Sequence, residues 1–317
     1  MSKNLTLIQK AQTSLGELQD GGGDLAEDVS REFIQQMIIE SVIMKEAQVI
    51  PMRSHTQRIP LVGLSRRILK AGTGGTPIPR EDATQLDWSK QTLNAKLFRG
   101  VVSVEEEVLE DNIEQGRFKN TLLDLIAGAT ARDMDEIIIN GDTTSADPFL
   151  ASFDGILRQA TIWGVDFDSE RLAIADATDP DAFLHLSQMQ RMLPKQYKRD
   201  LGKMKLYTSF NAVDDYQNAL LARQTVLGDS NVVNAGSMRF KGVPIVPVGM
   251  FPNDDDDETQ ALLINPKNIK VGIWRNIRVR VKEHPEDGIV NFIVDLRADC
   301  RIAEPDACVR GYAILNT

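Results

Sequence analysis

Cysteine is almost absent from this chain, which has only Cys300 and Cys308. Two thiols build no disulfide framework, and a reducing compartment is expected. Their spacing is not that of a metal knuckle or a redox motif, so both read as small buried hydrophobes. Histidine is equally sparse. His55, His185 and His284 lie far apart in sequence, which argues against a zinc centre or a Ser-His-Asp site. His185 falls off the apolar stripe of the helix predicted around it and reads as a solvated helix residue. Uninterrupted apolar runs stop at a few residues, short of the roughly 18–20 a spanning helix needs. The start, Met1-Ser2-Lys3-Asn4, has no apolar core like that of a signal peptide. A soluble chain without a membrane partner is expected.

Enzyme motifs are missing as well. No Gly-x-Ser-x-Gly elbow occurs. Gly72-Thr73-Gly74-Gly75-Thr76 is followed by Pro77-Ile78-Pro79 and not by the Lys-Ser/Thr and helix start of a phosphate loop. It reads as a flexible tip. The run Asp254-Asp255-Asp256-Asp257-Glu258 lacks the alternation and glycine of a calcium loop and reads as an exposed acidic turn. No catalytic site, cofactor or metal is expected on these grounds.

What is present is bulk and an uneven charge. The 317 residues, 42% of them hydrophobic, suffice for about two domains with real cores. A net charge of −10 argues against a protein that wraps nucleic acid with its whole surface. From Pro51 to Gly100, however, nine basic residues stand against three acidic ones, a net of +6. From Glu105 to Glu136, ten acids face Arg117, Lys119 and Arg132, a net of −7. A basic block abuts an acidic one.

Periodicity outlines the elements. Leu5, Ile8, Ala11, Leu15 and Leu18 fall at helical spacing before Gly21-Gly22-Gly23. Asp24 and Glu27 then cap a second helix through Val29, Phe33, Met37 and Met44. Four prolines between Pro51 and Pro79 forbid a long helix. Short apolar runs, Ile59 to Leu64 and Leu93 to Leu97, flank the glycine-rich centre, the pattern of a long hairpin-like arm. So few large apolar groups cannot sustain a core, so the arm packs on its own body or lies across something else. Ser103 and Glu106 form a capping box for a helix through Asn112. A longer helix is predicted from Gly116 to Asn140, with Phe118, Leu122, Leu125, Ile126, Ala129 and Ile137 on its apolar stripe and Gly141 as its stop. The second half reads as α/β. Asp179-Pro180 opens a helix through Phe183, Leu186, Met189 and Leu193, a strand spans Met204 to Tyr207, and a helix spans Asn211 to Gln224. Strands follow at Phe240 to Val248 (at an edge or bulged, given two prolines), Ala261 to Ile264, Ile277 to Val281 and Ile289 to Leu296.

This order resembles the major capsid proteins of tailed bacteriophages with the Hong Kong 97-type fold. Three stretches carry the likeness. Gly100-Val101-Val102-Ser103-Val104-Glu105-Glu106-Glu107-Val108-Leu109-Glu110-Asp111 is similar to the family's strand-to-helix segment before its spine helix. Asn140-Gly141-Asp142 with Asp154-Gly155-Ile156-Leu157 is similar to the stretch after it. Phe240-Lys241-Gly242-Val243-Pro244-Ile245-Val246 with Met250-Phe251-Pro252 is similar to a strand of the axial domain. The likeness covers most of Leu25 to Tyr312.

The resemblance implies an α+β, Hong Kong 97-like capsid fold. Residues 1–50 would be an N-terminal arm and helix, 51–100 the extended E-loop hairpin, and 101–155 the P-domain with its long spine helix. Residues 156–265 would be the α/β A-domain, and 266–317 strands returning to the P-domain and A-domain. It implies a coat protein self-assembling through hexamers and pentamers into an icosahedral head around double-stranded DNA, in the virion, after assembly in the bacterial cytoplasm. Scaffolding, portal and decoration proteins would be its partners. In that family the E-loop lies over the P-domain of the adjacent subunit. Arg58, Ile59, Leu61, Arg66, Arg67, Ile68, Leu69, Lys70 and Arg80 are then the expected inter-subunit contacts. Glu105, Glu106, Glu107, Glu110, Asp111 and Glu114 form the expected acidic acceptor. About twenty residues precede the glycine break, so scaffolding would come from another protein or from the helix Leu5 to Leu18. Lys70 lies near the tip, but no Asn or Glu matches the family's cross-linking partners. The alternatives are an encapsulin-like protein shell, with the same fold around cargo enzymes, and a nucleic-acid-binding protein using the basic loop. Against the latter, the arm carries only Trp88 and Phe98 as aromatics and no stacking series.

Overall fold

The computed structural model describes residues 37–38, 40–63, 87–105, 118–161, 163–167, 184–222, 238–252, 258–274 and 278–315. The N-terminal helix over Leu5 to Leu18, the Gly72–Thr76 tip and the acidic run at 254–257 lie outside them. In chain order the first strands are β1 (Gln48–Met52), β2 (Thr56–Gly63), β3 (Asp87–Asn94) and β4 (Lys96–Glu105), followed by helices α1 (Phe118–Asn140) and α2 (Ile156–Gln159). Then come β5 (Gly164–Asp166), α3 (Leu184–Met192), β6 (Lys205–Thr208), α4 (Phe210–Ala222), β7 (Arg239–Phe240) and β8 (Val243–Pro247). The chain closes with β9 (Glu258–Ile264), β10 (Ile269–Trp274), β11 (Arg278–His284), β12 (Ile289–Ile302) and β13 (Cys308–Leu315).

Three sheets result. β12 is the hub of a five-stranded sheet: β4 pairs along one side of it, β11 and β10 along the other, and β1 joins β10 in parallel. Val290, Phe292, Val294, Leu296, Ala298, Cys300 and Ile302 face inward at every second position of β12, the period a half-buried strand requires. They pack against Ile126, Ala131, Met134 and Ile137 of α1 in the largest core. The second sheet, ordered β5-β13-β9-β6-β8-β7, packs with α3 and α4 around Leu186, Met189, Leu193, Val213 and Tyr216. β2 and β3 form a hairpin of their own, in register from Thr56 opposite Asn94 to Gly63 opposite Asp87.

The expected long helix is present, and its stop works by close approach. A Cβ on Gly141 would lie 2.4 Å from the Phe153 carbonyl oxygen, and one on Gly155 would lie 2.6 Å from that of Ile139. The Gly155 amide donates to the Gly141 carbonyl at 2.7 Å. Side chains at either position would hold the returning chain off the helix end. Cys300 and Cys308 are free and buried, as expected, and burial pushes the Cys308 thiol up to about 12. Among the described residues β8, with its two prolines, has only the two-residue β7 on its outer side.

Several expectations are corrected. Leu125, placed on the apolar stripe, is 65% exposed, because the first half of α1 stands away from the sheet while its last turns are enclosed. Ser103 is not a helix cap: it lies in β4 opposite Asn291, where ladder hydrogen bonds outcompete a local cap, and the rest of the helix predicted through Asn112 lies outside the described residues. His185 is buried, 1% exposed, with its ring edge-on to Phe167. Pro51 and Met52 belong to β1, and Lys96 to Gly100 belong to β4, so the described part of the projection is narrower than 51–100.

Candidate functional site

The arm leaves the body at the five-stranded sheet and consists of two eight-residue strands, about 27 Å long at roughly 3.4 Å per residue. A free two-stranded hairpin is marginal in water, and this one is stabilised at its root. Met52, Leu93 and Ala95 form a small buried cluster there, joined by Ile50, Ile59 and Trp274. Arg297 lies over the Trp274 ring at 4.5 Å, and His55 meets the same ring edge-on at 6.0 Å.

Beyond the root lies β4, an edge strand: among the described residues it pairs only with β12. Most of it is exposed, Val101 by 55% and Leu97 by 50%. An open edge carrying apolar side chains is a template for further pairing. Between β4 and α1 runs a groove of about 520 Å³, lined mainly by Phe98, Val101, Val102, Leu122, Leu125 and Phe149. Asp133 is the acid on its rim.

The predicted contact residues are placed unevenly. Arg58 is exposed on β2. Ile59 is half-buried and packs against its own root cluster. Leu61 lies on β2 opposite Ser89. Arg66, Arg67, Ile68, Leu69, Lys70 and Arg80 lie outside the described residues. Of the expected acceptor acids, Glu105 is exposed at the end of β4, and Glu106, Glu107, Glu110, Asp111 and Glu114 lie outside the described residues. Two charges counted earlier are used internally. Arg99 pairs with Asp295 across the sheet at 2.6 Å. Asp135, buried on α1, accepts from the Ser41 hydroxyl at 2.5 Å and the Val42 amide at 2.9 Å, and burial raises its pKa. Sequence reasoning missed the groove, whose walls are some thirty residues apart in the chain; the signal available was Leu125 on a helix beside a Val-rich strand.

Glu46 ties the two sheets together through Lys205 and through the Tyr207 hydroxyl, which donates to it at 2.7 Å. The body is therefore one braced plate carrying an arm and an open edge.

Comparison with known proteins decides what such a plate is. The profile described as Phage capsid family matches residues 21–312. A putative prophage capsid protein, YqbE of Bacillus subtilis (strain 168), is 30% identical over 97% of this chain and 98% of its own. The chain belongs to the phage capsid family. Among solved structures, the satellite phage P4 procapsid, which includes the size determination (Sid) protein, superposes with a TM-score of 0.65 at 14% identity, over 99% of this chain and 98% of that one. The SrpI encapsulin of Synechococcus elongatus reaches 0.55 at 12% identity, over 84% of this chain and 85% of that one. At such identities both show the fold alone, the Hong Kong 97-type plate. This capsid protein forms the shell of a phage head, and its role is structural.

Proposed function

We propose that the capsid protein assembles as hexamers and pentamers, with the hairpin arm of each copy lying in the groove between β4 and α1 of the next. The reading rests on one observation: the body presents an apolar groove and an open strand edge that no described part of its own chain covers. Between Thr56 and Asn94 the arm has six basic residues against three acidic ones, and this excess, set against the acids of the 105–136 segment, adds charge complementarity. Exposed ion pairs are worth only about 0–1 kcal/mol each, so they choose register. Apolar burial, at about 25 cal/mol per Å², supplies most of the binding energy. Weak single contacts allow errors to be corrected, and closure of the shell makes their sum large. The arm corresponds to the E-loop, α1 and the five-stranded sheet to the P-domain, and the second sheet to the A-domain. The enclosed genome is double-stranded DNA, assembly takes place in the bacterial cytoplasm, and portal, scaffolding and decoration proteins complete the head.

The test is Val102→Asp combined with Leu125→Asp, both at exposed positions in the groove. The expected outcome is a folded subunit with unchanged circular dichroism and no shells by sedimentation. Shells of normal size and yield would refute the groove as the docking site. Absorbance of purified wild-type particles at 260 against 280 nm separates a genome container from a protein-filled compartment.

A further inference from the structure

The ladder between β4 and β12 runs from Glu105 to Lys96, the last pair being Lys96 opposite Ala298. The chain then departs from the sheet, and its next two backbone amides need other acceptors. Ala95 donates across the arm's base to the His55 carbonyl at 3.0 Å. Asn94 donates back to the body, to the carboxylate Oδ2 of Asp299 at 2.6 Å. The other carboxylate oxygen accepts from the Cys300 amide at 2.9 Å. Asp299 breaks the pattern of β12. The outward-facing positions Asp295, Arg297 and Arg301 are partly exposed, whereas Asp299 on the same face is 1% exposed. The arm's root covers it.

A second contact lies directly across the ladder. Gly272 of β10 is the partner of Asp299. A Cβ there would stand 2.7 Å from the Met52 sulfur and 2.9 Å from Leu93 Cδ1. The missing side chain lets both root residues rest on the sheet itself. The root is therefore held by a buried carboxylate on one strand and by a flat seat on the next. The nearby Arg301 Nε is 4.0 Å from the carboxylate, beyond hydrogen-bond distance, so the arm's amide is the closer partner.

We infer that Asp299 is a positioning residue for assembly: its carboxylate, bound to the Asn94 amide over the Gly272 seat, sets the direction in which the arm leaves the body. A buried acceptor bound to a backbone amide is costly to lose, and the bond sits at the pivot, where a small rotation is magnified along the arm. The consequence for shells rests on the reading that the arm docks on a neighbouring copy; the direction of the arm does not.

The experiment separates the two. Nitroxide labels at Arg58→Cys on the arm and Arg132→Cys on α1 report the arm's direction in free subunits held below the concentration at which shells form. Cys300 and Cys308 are buried and stay unlabelled. With Asp299 intact one narrow distance distribution is expected. Asp299→Ala should at least double its width and cut shell yield at least ten-fold. Asp299→Asn, which keeps one acceptor oxygen for the two amides of Asn94 and Cys300, should be no broader than Asp299→Ala and no narrower than the unsubstituted subunit. An unchanged width in Asp299→Ala overturns the inference, as does an Asn variant broader than the Ala variant. A broadened Ala variant with normal shell yield supports the positioning role and counts against docking of the arm on a neighbour. Should Asp299→Ala fail to fold, hydrogen exchange in the unsubstituted subunit decides. An Asn94 amide exchanging as slowly as those of β12 supports the bond, and one exchanging like an unbonded amide overturns it.

Discussion

His185 sits on α3 with its ring centroid 5.6 Å from that of Phe167, and its Nε2 has no hydrogen-bond partner among the described residues. Desolvation lowers its pKa from 6.5 to about 4. The unfolded chain therefore binds this proton before the folded one does, and stability is lost as pH falls through that interval. Between pH 7 and 5 the loss is about 2 kcal/mol from this residue. Denaturant midpoints of the wild type at the two pH values should reveal it, and His185→Gln should have a shallower slope. Equal slopes would mean that the imidazole is solvated. Asp135 and Asp299 act with the opposite sign, since burial raises both and the folded state retains their protons to higher pH. The burial of His185 was not legible in the sequence. The stripe through Leu186, Met189 and Leu193 marks the face of α3 that meets the second core, and Phe167, the residue after β5, covers His185 beside it.

Among the elements, α1 was the most legible, because 23 residues without proline, ended by glycine, declare a helix in any context. Its termination can be tested through Gly155. An alanine Cβ there meets backbone oxygens and amides, which cannot rotate away, so Gly155→Ala is expected to cost about 1–3 kcal/mol or more. A melting temperature within one or two degrees of wild type would show that the loop relaxes freely. β4 was the least legible element. The Ser103…Glu106 spacing favours a cap locally, whereas ten ladder pairs with β12 decide for a strand. Those pairs join residues nearly two hundred positions apart, and no local pattern reports them. β10 and β13 escaped for the same reason, being strands whose partners alone define them.

For the whole molecule, the described contacts between the arm and its own body lie at the arm's root. Its root is fixed by Met52, Leu93 and Ala95, all outside the tip. Deleting 70–79 is therefore expected to leave the subunit's melting temperature unchanged while abolishing shells. A large drop in melting temperature would mean that the tip packs on its own chain. Reversing Arg66 and Arg67 to Glu should weaken shell formation without unfolding the subunit. Raising salt from 0.1 to 1 M shortens the Debye length from about 10 to 3 Å and should impair assembly less than that double reversal does. Light scattering across the salt series reads the comparison directly.

By itself the amino-acid sequence determined the family, the long helix with its glycine stop and a hairpin between Pro51 and Gly100, because propensity, periodicity and charge are local properties. The tertiary structure alone decided that Leu125 faces an open groove, that Ile59 belongs to its own root, and that Asp299 is buried under the departing chain. Each of these depends on which distant strand lies alongside, and burial is a property of neighbours in space.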